Sequence, residues 1–104
     1  MIKLLVVDDD ESLCYVIKRF FEDKKYNVTV VYNGNDAISY VERERPHLVF
    51  LDVGLPDISG FDVLKKLKKI DPTIKVIMIT AYDSEEKINL AKKYGTSEYI
   101  TKPF

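Results

Sequence analysis

The sequence predicts an α/β fold, a parallel sheet with helices on both faces, and three observations carry that prediction. Short apolar or β-branched runs at residues 3–7, 28–32, 48–51, 75–81 and 98–101 alternate with segments whose apolar residues recur at helical spacing. The connections between them are short, which in a strand-helix-strand chain implies right-handed crossovers and parallel pairing. The first run is apolar at successive rather than alternate positions, the habit of a strand covered on both faces. With 104 residues the chain has room for one domain, residues 1–104, and one core.

Each element has its own justification. Residues 3–7 stop abruptly at Asp8-Asp9-Asp10-Glu11, and from Leu13 the period changes. Leu13, Val16, Ile17, Phe20 and Phe21 then form one apolar helical face, opened by acidic and capping residues (Asp10, Glu11, Ser12) and closed by Lys24-Lys25, as the helix dipole favours. Asp10 reads as the cap of this helix. After the strand at 28–32, Asn33-Gly34 supplies a turn, and Ala37, Ile38 and Val41 mark a shorter helix that runs to about Glu44 before Arg45-Pro46 ends it. The third strand, 48–51, delivers Asp52 to a loop containing Gly54 and Pro56. Phe61, Val63, Leu64, Leu67 and Ile70 repeat at helical spacing between Gly60 and Asp71-Pro72. The fourth strand ends on Thr80; Asp83 or Ser84, with Glu86, can cap the helix that follows, and Gly95 ends it as a left-handed residue. A short fifth strand, 98–101, leads to Lys102-Pro103-Phe104.

Composition excludes several roles. A formal net charge of -1 offers no basic field for nucleic acid, so direct nucleic-acid binding by this domain is not expected. No apolar run approaches the ~18 residues of a membrane helix, and the N-terminus is too short for a secretory signal before the first strand. The lone Cys14 has no partner for a disulfide or a zinc motif and fits a reducing cytoplasm. His47 follows Pro46 at a strand entrance, away from the acids, and reads as a partly solvated loop residue. The lysines at 65, 66, 68, 69, 92 and 93 read as solvated helix faces and last-turn charges.

In open parallel sheets the ligand site lies beyond the carboxyl ends of the strands. That rule gathers Asp8, Asp9, Asp52, Thr80 and Lys102 at one edge. Carboxylates brought so close repel unless a cation sits among them, and hard oxygen ligands of this kind suit Mg²⁺ or Mn²⁺ rather than zinc. A carboxylate there can act as nucleophile toward phosphorus, with the metal and an ammonium balancing the charge on the transferred oxygens and a threonine hydroxyl donating a hydrogen bond.

The order Val7-Asp8-Asp9, then Leu51-Asp52-Val53-Gly54-Leu55-Pro56 with Gly60, then Ile79-Thr80-Ala81, then Tyr99-Ile100-Thr101-Lys102-Pro103-Phe104, resembles the receiver domain of two-component response regulators. The resemblance spans nearly the whole chain. It implies a flavodoxin-like doubly wound sheet in the order 2-1-3-4-5. It implies that Asp52 accepts a phosphoryl group from a phosphohistidine on a sensor histidine kinase or histidine phosphotransfer protein. Asp9, Asp52 and the Gly54 carbonyl would bind Mg²⁺, with Asp8 acting through water. Lys102 would pair with the phosphoryl group and Thr80 would turn to bond it, while Tyr99 would be the switch aromatic and Lys102-Pro103 a cis peptide. Such a domain catalyses only its own phosphorylation and hydrolysis, so its role is signalling in the cytoplasm rather than enzymatic turnover.

The chain departs from that family in one respect: receivers continue into a fifth helix packed beside the first, and this sequence stops at Phe104. It reads as a domain cut from a longer regulator, or as a shortened one that covers its exposed face as a homodimer or by segment exchange. Two rival readings stand beside it. Residues 5–10 also resemble the opening motif of haloacid-dehalogenase-like phosphohydrolases, with Asp8 as nucleophile and Asp10 as acid/base, although the chain lacks room for that family's later elements. The other rival is a receiver-like scaffold that works without phosphorylation.

Overall fold

The computed structural model describes residues 1–80 and 85–102. The expected caps Asp83 and Ser84 and the Lys102-Pro103 peptide involve residues outside that set. The described elements run β1 (Lys3–Val7), α1 (Glu11–Asp23), β2 (Asn27–Val31), α2 (Gly34–Glu44), β3 (Leu48–Leu51), α3 (Gly60–Ile70), β4 (Lys75–Thr80), α4 (Glu85–Lys93) and β5 (Glu98–Thr101). All strand pairs are parallel and the order is β2-β1-β3-β4-β5, as the resemblance implies. β5 is the last described element, so α1 has no fifth helix beside it among these residues.

Alternation along the strands sends successive side chains to opposite faces. Leu5, Val7, Val49, Leu51, Val76 and Met78 pack with Ala37 and Val41 of α2, Val63, Leu64 and Leu67 of α3, and Ala91 of α4. Leu4, Val6, Phe50 and Ile79 pack with Cys14 and Ile17 of α1. Among the described residues, three helices therefore cover one face and α1 alone covers the other.

That imbalance corrects the expected apolar face of α1. Cys14 and Ile17 are buried, but Val16 and Phe20 are 61% and 54% exposed. Phe21 is held edge-on against Phe50 with ring centroids 5.3 Å apart. Val16 and Phe20 lie on the flank of the helix and, with Ile17, Phe21, Phe50, Ile79 and Ile100, line an open apolar groove of about 380 Å³ between α1 and β5. A single helix is too narrow to cover that face.

Helix ends follow local chemistry. Asp10 caps α1 as expected, its carboxylate accepting from the Leu13 N–H at 3.1 Å. Asn33-Gly34 is not a separate turn: Asn33 is the N-cap of α2, accepting from the Asp36 N–H at 2.8 Å, and Gly34 is the first helical residue. The two uses demand the same residue types, a short side-chain acceptor and a residue without Cβ, which is why the dipeptide reads either way. Gly95 adopts φ +96°, the left-handed stop expected for α4.

Two glycines admit close approaches near the carboxyl edge of the sheet. A Cβ on Gly60 would lie 2.3 Å from the Asp52 carbonyl oxygen and 2.6 Å from the Val53 Cα, both backbone. A Cβ on Gly34 would meet the Ile58 and Val63 side chains at 2.5 and 2.7 Å. Backbone cannot step aside as a side chain can. Gly60→Ala is therefore expected to cost about 3 kcal/mol and Gly34→Ala about 1 kcal/mol, opposite ends of the overpacking range. Urea unfolding midpoints check the ranking, and a larger loss at Gly34 would contradict it.

Candidate functional site

Parallel pairing brings all the strand ends to one edge, and the ladder runs one residue past the strands there. The Asp8 N–H donates to the Val31 carbonyl at 3.2 Å, the Asp52 N–H to Val7 at 3.0 Å and the Lys102 N–H to Thr80 at 2.7 Å. Each of these backbones is thus fixed by its neighbouring strand, and the side chains that follow from it converge.

Asp8, Asp52 and Thr80 are buried and polar in an otherwise apolar core. The Lys102 Nζ donates to Asp8 Oδ2 at 2.6 Å and lies 3.8 Å from Asp52 Oδ2. Asp8 Oδ1 accepts from the Asp10 N–H at 3.0 Å, and the Cys14 thiol donates to the Asp8 carbonyl at 3.3 Å. The Gly54 amide and the Thr80 hydroxyl both favour the charged form of Asp52. Burial, and then the neighbouring Asp8 charge, push the Asp52 carboxyl above the ordinary carboxylate range despite Lys102, Gly54 and Thr80, which pull the other way. Burial also works against the Lys102 charge, but the Asp8 hydrogen bond and the nearby carboxylates outweigh it and hold the ammonium above its ordinary range. Burial and the adjacent acids push the Cys14 thiol up to about 12, so it is an inert donor and not a nucleophile.

Asp9 is exposed, yet its carboxylate completes a cluster: oxygens of Asp8, Asp9 and Asp52 lie within 4.8 Å of one another. One ammonium against these carboxylates leaves the cluster negative. Clustered oxygens with an open, solvated side fit a hard divalent cation such as Mg²⁺ or Mn²⁺. Asp10 is turned away as the α1 cap, and Gly54 sits exposed in the loop directly after Asp52.

Thr80 and Tyr99 are linked by register. Met78 pairs with Tyr99 and Thr80 with Thr101, and paired residues on parallel strands share a face. Thr80 and Tyr99 thus lie on the face covered by α2, α3 and α4, where Tyr99 is partly buried against the core. His47 is at the opposite edge, its Nδ1 accepting from the Lys3 N–H at 2.9 Å.

One residue of this region had no role in the sequence reading. Asp57, in the loop after β3, accepts from the Gly34 and Asn35 N–H groups at the start of α2, each at 2.8 Å. Slight burial disfavours its charge, but these amides and that of Ile58 outweigh it and hold the carboxyl below its ordinary range. The sequence shows an acid after Pro56, a turn signal, and nothing that pairs it with residues so far upstream.

The fold is a doubly wound parallel sheet with acids, a threonine and a lysine converging at its carboxyl edge. Residues 4–104 match the family described as response regulator receiver domain, and the chain belongs to that family. It is 39% identical over 103 residues to the probable transcriptional regulatory protein TcrX of Mycobacterium tuberculosis, covering 99% of this chain and 44% of that protein. It is 36% identical over 102 residues to sporulation initiation phosphotransferase F of Bacillus subtilis, covering 98% of this chain and 82% of that protein. The crystal structure of a CheY-like receiver domain protein from Methanospirillum hungatei JF-1 superposes with a TM-score of 0.97 at 32% identity, over 100% of this chain and 83% of the other. The chain thus spans less than half the length of TcrX and most of the length of the other two.

The electrostatics of Asp52 predict its stability linkage. Its carboxyl lies above the unfolded value, so its contribution to stability is present at acid pH and is lost as pH rises through the folded pKa. At neutral pH without metal the wild type therefore carries a penalty that Asp52→Asn relieves. The variant is expected to melt roughly 2–4 °C higher, the scale of a solvent-screened effect below about 1 kcal/mol in a domain of this size. The difference should vanish at a pH below the ordinary carboxylate range. Melting curves across pH check it, and a variant less stable than wild type at neutral pH would contradict it.

Proposed function

We propose that this receiver domain takes a phosphoryl group onto Asp52 from a phosphohistidine of a histidine kinase or phosphotransfer protein, and that the aspartyl phosphate switches its partner binding. The observation that carries this reading is the surrounding of Asp52: an ammonium at 3.8 Å and acids clustered within 4.8 Å, with the Thr80 hydroxyl favouring its charge.

In the step itself an Asp52 oxygen attacks phosphorus, the O–P bond forms, the P–N bond breaks and the imidazole nitrogen leaves with the electron pair. Asp9, Asp52 and the Gly54 carbonyl would hold a divalent cation, with Asp8 acting through water, and such a cation would supply positive charge to the phosphoryl oxygens. Lys102 bonds Asp8 at 2.6 Å before the reaction and needs only a shift of its flexible head to meet a phosphoryl oxygen on Asp52. Thr80, whose hydroxyl favours the Asp52 charge, would donate to a phosphoryl oxygen after the transfer, and Tyr99, on the same face of the neighbouring strand, would follow that change. The family's placement in cytoplasmic signalling extends to this chain on the same reading, and no described helix is long and apolar enough to cross a membrane.

The hydrolase alternative asks Asp10 to act as acid/base beside Asp8. Its carboxylate caps α1 and lies outside the acid cluster, which weighs against that role.

Incubation with Mg²⁺ and a small acyl phosphate, followed by mass mapping, tests the proposal. Asp52 is expected to carry the label, Asp52→Asn to carry none, and Lys102→Ala to label about 100-fold more slowly, the usual cost of losing one donor to the transition state. Label on Asp8 would favour the hydrolase. No label on folded protein would favour a scaffold.

A further inference from the structure

The loop from Asp52 to Gly60 has little to hold it from within. Its own backbone hydrogen bonds are those of the Leu55 and Gly60 N–H groups to the Val53 carbonyl, at 3.1 and 2.9 Å. Gly54 sits in the middle of it, exposed. What fixes the outer part of this loop comes from a different element, the start of α2.

The contact is made by both oxygens of one carboxylate. Asp57 Oδ1 accepts from the Gly34 N–H at 2.8 Å and from the Ile58 N–H at 2.9 Å, while Oδ2 accepts from the Asn35 N–H at 2.8 Å. Successive amides of a first helical turn point out of the helix and carry the positive end of its dipole, so a bidentate carboxylate is well matched to them. α2 already has its own cap, since Asn33 serves the Asp36 N–H. Asp57 thus serves the first-turn donors that the cap leaves open.

Packing reinforces the charge contact. Gly34 presents bare backbone to the loop, and the Ile58 side chain fills the space its missing Cβ leaves, together with Val63 of α3. At the inner end Gly60 backs directly onto the Asp52 carbonyl. The loop is therefore clamped twice, at Gly60 against Asp52 and at Asp57-Ile58 against α2, with Gly54 between the clamps.

We propose that Asp57 is a positioning residue of the acid cluster: by bolting the loop after β3 to the first turn of α2, it holds the Gly54 backbone beside the strand-fixed Asp52, ready for a divalent cation. The cation is that of the proposed function, and this inference rests on that reading to that extent. Asp57 is exposed, and water could satisfy the same amides if it were absent. What water cannot do is tie the loop to the helix. Loss of the bolt therefore leaves α2 formed and the site loose, so that cation binding must order the loop at its own expense.

The test compares Asp57→Ala with Asn33→Ala, which uncaps the same helix without touching the loop. In metal-free protein, Asp57→Ala is expected to speed hydrogen exchange at the Gly60 and Leu55 amides, and Asn33→Ala to leave them near wild type. In Mg²⁺ titrations followed by NMR shifts, Asp57→Ala is expected to raise the Kd by about tenfold, the low end for groups that hold ligands in place. Asn33→Ala should stay within about twofold of wild type on the same basis, and Asp57→Asn, which keeps one acceptor oxygen, should fall between. Acyl-phosphate labelling of Asp57→Ala should be slow at limiting Mg²⁺ and recover at saturating Mg²⁺. Unchanged loop exchange in Asp57→Ala, or equal effects from Asn33→Ala, would overturn the proposal. If the wild type itself binds no Mg²⁺, the metal reading fails, and the exchange measurement alone decides whether Asp57 bolts the loop.

Discussion

Two buried acids at the ends of adjacent strands set the terms for this molecule. Asp8 and Asp52 follow β1 and β3, which lie side by side, and burial and the Asp8 charge both oppose the charge on Asp52. The Lys102 ammonium, which reaches them from the far end of the chain at 2.6 and 3.8 Å, makes the arrangement tolerable. Breaking a pair of this kind leaves a buried charge unmatched, which costs far more than the pair itself contributes. The sheet order is what allows it. β5 must pair with β4, and β4 with β3, for Lys102 to arrive at the same edge as the acids.

The same constraint divides the work of the core. The face under α2, α3 and α4 is fully packed and supplies rigidity, whereas the face under α1 leaves Val16, Phe20 and Ile100 around an open groove. The acids sit at the rim where both faces end. Cys14 shows how closely the α1 face is joined to them, because its thiol is a core side chain and also a donor to the Asp8 carbonyl. Polar atoms at that rim are satisfied from the core side, which leaves the outer side of the cluster to solvent and ligand.

Much of this was legible in the sequence for a simple physical reason. β1 and β3 are buried strands whose apolar runs end where the chain meets the functional edge, so Asp8 and Asp52 announce themselves by position, while Thr80 closes β4 and Lys102 follows the half-exposed edge strand β5. The helix caps Asp10 and Gly95 were legible through local chemistry. Asn33-Gly34 was not, because a turn and a helix start ask for the same two residues. The exposure of Val16 and Phe20 was hidden because periodicity reports which side of a helix is apolar and not how much of that side its neighbours can cover. Asp57 was hidden because its partners are three backbone amides, two of them far upstream, and backbone carries no sequence signature.

Register adds a consequence for how events at Asp52 can travel. Thr80 is wholly buried and its hydroxyl favours the Asp52 charge, and Tyr99 lies on the same face one strand over, paired with Met78. A buried threonine cannot exchange its acceptor without a matching change in the side chains packed around it, because interiors are close-packed and offer no free volume for a silent rotation. On the phosphoacceptor reading, Thr80 must make that exchange when the oxygens on Asp52 change from carboxylate to phosphoryl. Among the described residues its neighbours on that face are packed core side chains, and toward β5 Tyr99 is only partly buried and the sheet ends. Among the described elements, the edge strand is thus the direction in which a change at the acid cluster meets the least resistance.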